Sequence, residues 1–304
     1  MLDLISLGTV SIDLYYKGSS LTEGDGRFEL AIGGKYFVDH FYEGLGGGGA
    51  NVAIGVTKAG LSVGLMAKIG NNPFKSLICK TLDDEKVRHQ EFCNFTDDYI
   101  NISSILLNAR GEKTIINYRT DHQHIMTCEE DYNKLDKAKA IYMANLSKVT
   151  LAERIRVLQY AKKNNKKVFA NLNVTDCRRP IEEVMHFASH VDGLIINAYE
   201  YADIIKAPYE SIDFDGNVVE KYAPFHSNSL LVITDGKKGS YAYFQGKHYH
   251  VPAVSVEKVI DTTGAGDAYT AAFIASYLAH EDVQKAMQAG SSYAVKILGK
   301  LGAN

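Results

Sequence analysis

The chain has 304 residues, of which 46% are apolar and 23% are charged, and its formal net charge is −3 at pH 7. This length and composition suit one large or two small domains with a full hydrophobic core. The charge balance does not favour nucleic acid or an anionic membrane surface as a partner, and no apolar run approaches the roughly 20 residues that span a bilayer.

Short apolar strands alternate with segments of helical periodicity along most of the chain. The pattern predicts a strand over 2–7, a helix over 50–59, a strand over 63–69, a helix over 74–85 and a strand over 140–145. It continues with a helix from the cap Thr150 to residue 163, a strand over 167–172, a helix over 181–189, strands over 193–196 and 230–234, and helices over 265–278 and 283–298. Such alternation predicts an α/β fold, with a mostly parallel sheet covered by helices on both faces.

Two stretches, residues 14–42 and 95–118, interrupt this alternation. Apolar and polar residues alternate there with a period of two, as in Lys113-Thr-Ile-Ile-Asn-Tyr118, which indicates half-exposed antiparallel strands. We expect the two stretches to form one small β-sheet lid over an α/β core that comprises residues 1–13, 43–94 and 119–304. The alternative is that they extend the edge of the main sheet.

The run Asp261-Thr-Thr-Gly-Ala-Gly-Asp267 is the most informative motif, since it places a tight glycine turn before an apolar helix. The N–H groups of Gly264, Ala265 and Gly266 are expected to converge at the start of that helix, where the helix dipole adds positive charge. Such a place binds an anion, most naturally a phosphate in transfer. Asp267 could take the proton of an attacking hydroxyl, and a plain helix cap is the alternative.

A second glycine-rich run lies in the N-terminal part of the chain. Gly46-Gly-Gly-Gly-Ala-Asn51 opens the first predicted helix, and its glycines allow the backbone to approach a ligand. Asn51 offers both donors and an acceptor, which suits the hydroxyls of a polyol. Asp13 is expected at the carboxyl end of the first strand, where ligands bind in such sheets. A plain turn and a solvated aspartate are the alternatives.

Two further turns follow strands of the predicted sheet. In Asn197-Ala-Tyr-Glu200, Asn197 could contact phosphate and Glu200 could hold water on Mg²⁺, which takes few carboxylates. The same two residues could instead form a capping box. The turn Thr234-Asp-Gly-Lys-Lys-Gly239 could contact nucleotide phosphates or form a plain hairpin.

Other patterns narrow the class of protein. His122-Gln-His124 and His248-Tyr-His250 have no acidic or cysteine partner at ligand spacing, so alternating histidines on a strand are favoured over a metal site. The chain lacks the Gly-x-x-x-x-Gly-Lys-Ser/Thr run of P-loop NTPases. The four cysteines are far apart and form no C-x-x-C pair, which predicts reduced thiols in a cytoplasmic protein. The first five residues include an acid and no basic segment, so we expect no signal peptide.

Together these motifs resemble those of the ribokinase-like, or PfkB, carbohydrate kinase family. The resemblance extends from Gly8-Thr-Val-Ser-Ile-Asp13 to Gly302-Ala303, and the Asp-Thr-Thr-Gly-Ala-Gly-Asp run is its most specific motif. Gly46-Gly-Gly-Gly-Ala-Asn-Val-Ala53 is similar to the family's sugar-binding signature, and the runs at 197–200 and 234–239 are similar to its nucleotide-side motifs. The resemblance implies a Rossmann-like core, a β-lid, ATP with Mg²⁺, and transfer of the γ-phosphoryl group to a hydroxyl of a small sugar.

The resemblance also implies roles for individual residues. The catalytic base would be Asp267, and the anion hole would consist of Gly264, Ala265 and Gly266. Sugar hydroxyls would be bound by Asp13, Gly46, Gly47 and Asn51. The nucleotide would be bound by Asn197, Thr234, Gly236, Gly239 and Ser291. Glu200 would hold Mg²⁺ through water, and a monovalent cation such as K⁺ would be bound by Asp261 and Thr263.

Three positions bear on the substrate, by departing from the family pattern or by matching part of it. Gly48 stands where ribokinases proper have Lys, which weakens the case for ribose. In the run 171–178, which resembles a stretch of fructokinase- and ketodeoxygluconate-kinase-like members, Asn173 is the residue that fits. Arg119 resembles the arginine with which those members meet an acidic or polar substrate. Arginine pairs well with carboxylate or phosphate, which suits a sugar acid or a sugar phosphate, and a solvated lid arginine is the alternative. We therefore expect fructose, ribose or a ketodeoxygluconate-like acid as the substrate, with Arg119 and Asn173 among the binding residues.

Two rival functions stay open. A nucleoside kinase of the same fold would stack a base against lid aromatics such as Tyr15, Tyr16 or Phe37. A non-catalytic sugar-binding protein would be expected to lack the base, whereas Asp267 is present. In either kinase, the exposed edges of the lid strands predict a homodimer formed through the lid.

Overall fold

The computed structural model describes residues 1–120, 126, 128–146, 149–216, 218–219, 229–256 and 259–303. Its strands are β1 (Leu2–Leu7), β2 (Ser11–Lys17), β3 (Glu23–Gly24), β4 (Arg27–Phe28), β5 (His40–Gly46), β6 (Val63–Met66), β7 (Lys68–Gly70), β8 (Asn94–Thr96), β9 (Asn101–Leu107), β10 (Lys113–Arg119), β11 (Ala138–Met143), β12 (Lys167–Ala170), β13 (Gly193–Asn197), β14 (Leu230–Thr234), β15 (Ser240–Phe244) and β16 (Lys247–Val251). Its helices are α1 (Gly48–Lys58), α2 (Lys75–Asp84), α3 (Glu129–Leu135), α4 (Leu151–Lys163), α5 (Val174–Cys177), α6 (Ile181–Ala188), α7 (Ala198–Ile205), α8 (Ala265–His280) and α9 (Val283–Leu298).

The main sheet has eight strands in the order β16-β15-β14-β13-β12-β11-β1-β6. The strands from β6 to β14 pair in parallel, and β15 and β16 continue the sheet antiparallel. After β1, the chain next joins the main sheet as β6, which lies on one side of β1. After β11, it continues to β12, which lies on the opposite side of β11 from β1. The connections therefore diverge between β1 and β11, and ligands of open α/β sheets bind at such a point, beyond the carboxyl ends of the strands.

Helices cover both faces of the main sheet. Successive strand residues point to opposite faces, so Leu4 packs in the core beneath α1, α8 and α9, while Ile5 packs in the core beneath α4, α6 and α7. Both side chains are fully buried, which explains the nearly continuous apolar composition of this strand. This architecture confirms the predicted α/β fold. Among the described residues, no helix has the length and apolar character needed to cross a bilayer.

A separate four-stranded sheet has the order β10-β9-β2-β5. The outer pairs, β2 with β5 and β9 with β10, are antiparallel as expected, but the central pair β2 with β9 is parallel. The expectation of antiparallel strands is therefore wrong for the central pair, because β2 and β9 both enter the small sheet from the main domain in the same direction. The sheet begins at Ser11 and reaches Gly46 and Arg119. Its role as a lid stays a prediction.

Two local predictions can be compared with the structure. The strand predicted over 63–69 is divided, because the chain leaves the main sheet after Met66 and β7 pairs with β8. The histidines of the run 248–250 alternate along β16, where His250 stacks on Tyr241 at 4.6 Å between ring centroids. The run 122–124 lies outside the described residues.

Candidate active site

The turn before α8 depends on Gly264. Its φ of 75° lies in the left-handed region, and a Cβ at this position would lie 2.3 Å from the Cβ of Ala303. Among the described residues, the N–H groups of Gly264 and Gly266 donate no hydrogen bond, while that of Ala265 makes a long contact of 3.4 Å to the Thr262 carbonyl. Two backbone donors at the positive end of a helix are thus available to an anion.

Asp267 lies in the first turn of α8, where Asn51 from the first turn of α1 contacts it. Asn51 Nδ2 donates to Asp267 Oδ2 at 2.7 Å, although 216 residues separate them along the chain. A Cβ at Gly48 would lie 3.7 Å from Asp267 Oδ1, so this second oxygen faces the glycine loop in which Gly47 caps α1. Burial raises the pKa of Asp267, and the hydrogen bond from Asn51 partly offsets that rise. The structure therefore joins the two glycine motifs at one carboxylate.

Asp13 lies in β2 of the small sheet, not at the carboxyl end of β1 as expected, because the chain enters β2 at Ser11. Its Oδ1 accepts a hydrogen bond from Ser11 Oγ at 3.1 Å, and Ser103 on the neighbouring β9 provides another. The carboxylate lies directly against Gly46, where a Cβ would be 2.1 Å from Asp13 Oδ2. Burial is the main reason why the pKa of Asp13 is raised, and the negative charge of Asp261 adds to the rise.

Asn197 and Thr234 end the neighbouring strands β13 and β14 and pair with each other. The capping box weighed as an alternative is present: the Asn197 backbone N–H donates to Glu200 Oε2 at 2.8 Å, and the Glu200 N–H donates to Asn197 Oδ1 at 2.9 Å. Burial raises the pKa of Glu200 to about 6, against the effect of these hydrogen bonds, and the negative charges of Asp203 and Asp267 contribute to the rise. Glu200 is thus electrostatically coupled to the proposed base.

The turn after β14 has the geometry of a hairpin. Gly236 begins a 3-10 turn, and Asp235 N–H donates to the Gly239 carbonyl at 2.8 Å before β15 starts. Ser291 is buried on α9, which packs along α8 and the β15–β16 hairpin. The nucleotide-side roles of Gly236, Gly239 and Ser291 stay predictions.

The two residues predicted to recognise the substrate have different surroundings. Arg119 ends β10, and its Nε donates to Asn101 Oδ1 at 3.2 Å within the small sheet. Asn173 caps the short helix α5: its Oδ1 accepts from Asp176 N–H at 2.9 Å and its Nδ2 donates to Asp176 Oδ2 at 2.8 Å. Asn173 therefore has a structural role that its sequence pattern did not indicate.

Asp261 and Thr263, predicted to bind a monovalent cation, surround the ammonium group of Lys113. Lys113 Nζ lies 2.7 Å from Asp261 Oδ1 and 2.6 Å from Thr263 Oγ1. Burial raises the pKa of Asp261, but Lys113 and the donors of Thr263 outweigh it, so the net pKa is lowered. The side-chain oxygens that were expected to coordinate the cation are thus already bound to the ammonium group of Lys113.

Three polar residues near the site were not singled out from the sequence: Ser11 and Ser103, which bind Asp13, and Lys113. Each occupies an ordinary position of an alternating strand, so no local pattern distinguishes it. The pairing of β2 with β9 and the approach of β10 to the Asp261 loop bring these residues to the site.

The α/β sheet, the separate small sheet and the two joined glycine motifs are the features of a kinase that acts on small carbohydrates. The family model for pfkB family carbohydrate kinases matches residues 1–304. The chain belongs to this family, and the prediction of a carbohydrate kinase is confirmed.

Individual relatives agree with this assignment. The chain is 25% identical to 5-dehydro-2-deoxygluconokinase 2 of Bacillus cereus, over 98% of this chain and 90% of the relative. It is 27% identical to probable fructokinase-5 of Arabidopsis thaliana, over 90% of this chain and 82% of the relative. The structure of Arabidopsis thaliana ribokinase complexed with ribose and ATP superposes with a TM-score of 0.80 at 20% identity, over 99% of this chain and 94% of that one, which supports the fold.

The contact between Gly46 and Asp13 generates a test of the proposed sugar subsite. In Gly46→Ala the new methyl group would displace the Asp13 carboxylate, so we expect kcat/KM for the sugar to fall by roughly 10²-fold. Gly44→Ala is the matched control, because Gly44 points to the same face of β5 and a Cβ there meets nothing within 4 Å. Steady-state kinetics on both variants checks this expectation, with thermal melting to confirm folding. Equal activity in the two variants would contradict a role for Asp13.

The surroundings of Asp267 predict a pH effect. A base must be ionised to accept a proton, so activity falls as the pH drops through the raised pKa of Asp267. Asn51→Ala removes a donor to the ionised form, so the acid limb of kcat/KM should move to higher pH. Asn71→Ala, which removes an exposed amide that donates to Asp97 at 2.8 Å, should leave the limb in place. An unchanged or lower limb in Asn51→Ala would argue against Asp267 as the base.

Proposed function

We propose that this chain is an ATP-dependent sugar kinase in which Asp267 is the general base. The hydrogen bond from Asn51 to Asp267 carries the proposal, because it joins the sugar-side glycine loop to the start of α8 at 2.7 Å. Asp267 would orient a sugar hydroxyl in line with the γ-phosphorus and accept its proton as it attacks. The N–H groups of Gly264, Ala265 and Gly266 would stabilise the charge that develops on the transferred group.

The sugar would lie between the main domain and the small sheet. Asp13 and Asn51 offer a carboxylate and an amide to its hydroxyls, while Gly46 and Gly47 let the backbone approach closely. Asp13 is oriented by Ser11 at 3.1 Å, so its acceptor atoms are fixed before a ligand binds. Closure of the small sheet as a lid would exclude water from the transfer.

ATP would lie on the other side of the anion hole, beyond the ends of β13 and β14. Its binding residues would be Asn197, Thr234, Gly236, Gly239 and Ser291. Glu200 would hold Mg²⁺ through water, because burial and the nearby negative charges of Asp203 and Asp267, which raise the pKa of Glu200, leave its ionised form in need of a counter-charge. Mg²⁺ usually takes one or two carboxylates together with substrate phosphates and waters, so the single carboxylate of Glu200 would be sufficient on the protein side. Mg²⁺ would supply positive charge to the phosphate oxygens.

Among the candidate substrates we favour a keto-deoxy sugar acid over a neutral hexose or pentose. Arg119 stands on the small sheet beside Asn101, and a guanidinium recognises a carboxylate with paired hydrogen bonds. A relative aligned over 98% of this chain is named for phosphorylation of a dehydro-deoxygluconate. Gly48, where a Cβ would lie 3.7 Å from Asp267 Oδ1, brings no ammonium group to the base where ribokinases proper have a lysine.

A substrate panel tests both the activity and the base. ADP release would be measured with 5-dehydro-2-deoxygluconate, 2-keto-3-deoxygluconate, fructose, ribose and nucleosides, and we expect the highest kcat/KM on an acid. Asp267→Asn should reduce kcat on that substrate by roughly 10²–10⁴-fold. Asp282→Asn is the matched control, because Asp282 caps α9 and asparagine caps helices equally well.

The outcomes of that panel separate the rival functions. Turnover of a nucleoside alone would assign the chain to a nucleoside kinase of the same fold. Sugar binding without turnover, unchanged in Asp267→Asn, would assign it to a sugar-binding protein. Near-normal turnover of the acid by Asp267→Asn would show that another group is the base.

We further propose that the chain forms a homodimer through the small sheet. The edge strand β10 exposes Ile116 by 57% and Tyr118 by 61%, and the other edge strand β5 exposes Phe41 by 52%. Exposed apolar edge strands are suited to pairing across a symmetric interface. Sedimentation should show a dimer that Ile116→Glu dissociates, while Val174→Glu, at an exposed site on α5, should leave it intact. A monomer in the wild type at working concentration would contradict the proposal.

We propose a cytoplasmic location because the cysteines are not paired in disulfides. Cys79, Cys93, Cys128 and Cys177 are all free thiols. Free thiols are typical of proteins in the reducing cytoplasm, which supports the expected cytoplasmic location.

A further inference from the structure

Lys113 makes three polar contacts between the small sheet and the main domain. It is the first residue of β10, and its ammonium group contacts three consecutive residues of the loop that leads to α8. Lys113 Nζ lies 2.7 Å from Asp261 Oδ1, 3.3 Å from Thr262 Oγ1 and 2.6 Å from Thr263 Oγ1. All three contacts join residues that are far apart in the sequence, so tertiary structure alone produces them.

The contact between Lys113 and Asp261 places a positive charge beside a buried negative charge. The side chain of Asp261 is fully buried, whereas that of Lys113 is 25% exposed. A buried carboxylate without a counter-charge is strongly destabilising, so Asp261 needs a cation at this position. The lysine ammonium is a compact point charge with three rotatable donors, and its oxygen neighbours match those donors in number.

Asp261 in turn fixes the loop that contains the anion hole. Its Oδ1 accepts from Thr263 N–H at 2.9 Å, and its Oδ2 accepts from Gly302 N–H at 3.2 Å. Gly264 follows directly and packs against Ala303. One carboxylate therefore ties the turn before α8 to the C-terminal loop, and the position of that carboxylate depends on its cation.

We propose that Lys113 is a tethered cation that replaces a free monovalent ion at Asp261 and Thr263 and positions the anion-hole loop. The inference rests on the proposed kinase function of that loop. The side-chain oxygens of Asp261 and Thr263 that were expected to bind K⁺ are bound to Lys113, so a free ion would have to displace the ammonium group from them. Because Lys113 belongs to the small sheet, the same contact couples that sheet to the anion hole, which a diffusing ion does not do.

The wild type and a variant without the lysine should respond differently to cations. Wild-type turnover should be the same in KCl, NH₄Cl, NaCl and choline chloride at constant ionic strength. Lys113→Met removes the charge and leaves room for an ion, so its kcat in choline chloride should fall on the order of tenfold, within the usual range of site coupling. KCl and NH₄Cl should restore much of that loss, and NaCl should restore little.

Lys139→Met is the matched control, because Lys139 also pairs with an aspartate, Asp3, at 2.9 Å, but at an exposed position on β11. Its activity should not depend on the cation. Loss of activity in Lys113→Met that no cation restores would reduce Lys113 to a structural residue and overturn the inference. Activation of the wild type by K⁺ would also overturn it.

Two readouts do not require turnover, so they keep this inference separate from the proposed function. An ion that binds only the folded state raises its melting temperature, so KCl should raise that of Lys113→Met more than choline chloride does, and should not do so for the wild type. Crystals of Lys113→Met soaked in thallous acetate should show an anomalous peak beside Asp261 that wild-type crystals lack. If Lys113→Met does not fold, Lys113→Gln, whose side chain is uncharged and one bond shorter than that of lysine, should give the same pattern. Equal responses of wild type and variant would refute the inference.

Discussion

The site depends on how closely α1 approaches α8. A Cβ at Gly55 would lie 2.6 Å from the Cβ of Ala271, so this crossing accepts only small residues. Asn51 lies one turn before Gly55, and Asp267 lies one turn before Ala271, which places the amide and the carboxylate on facing sides of the two helices. Their hydrogen bond of 2.7 Å follows from that crossing. A bulkier side chain at the crossing would separate the pair without touching either partner.

The same approach brings both helix starts to one place. Residues 51 and 55 contact residues 267 and 271 in the same order, so the helices run in the same direction and their positive ends converge. The carboxylates gathered there have raised pKa values at Asp13, Asp267 and Glu200, with burial as the main cause in each. Asp261 is the exception, since its pKa is lowered by Lys113 and the donors of Thr263 despite burial. A site with unneutralised carboxylates is suited to ligands that bring hydroxyl donors or a cation.

The sequence predicted much of the fold because buried parallel strands are apolar throughout and some of the helices begin with a side-chain cap. Thr150 caps α4 as expected, with Glu153 completing a capping box. The run 261–267 was informative because glycine at position 264 is required by a left-handed backbone and a close neighbour. Its partner at position 51 was also identified, because a glycine-rich run marks it.

Residues whose roles arise from strand pairing could not be predicted in the same way. Asp13 was expected beyond β1, but residues 8–10 suffice for the chain to enter a second sheet, and no propensity marks that change. Lys113 resembles any lysine at the start of an exposed strand until β10 meets the loop before α8. Asn173 was predicted to bind substrate from its similarity to a family stretch. Asparagine is also a common helix cap, and in the structure its side-chain amide is engaged by Asp176.

The two cationic residues of β10 connect the small sheet to different parts of the protein. Lys113 at its start binds the anion-hole loop. Arg119 at its end donates to Asn101, whose own amide donates to the Val10 carbonyl just before β2. Polar contacts therefore anchor both ends of this strand, while Ile116 between them is exposed. A substrate carboxylate that draws Arg119 toward the sugar would act on the same strand that carries Lys113. In this arrangement, recognition of an acidic sugar and the position of the anion hole are coupled through one short strand, because both depend on where β10 lies.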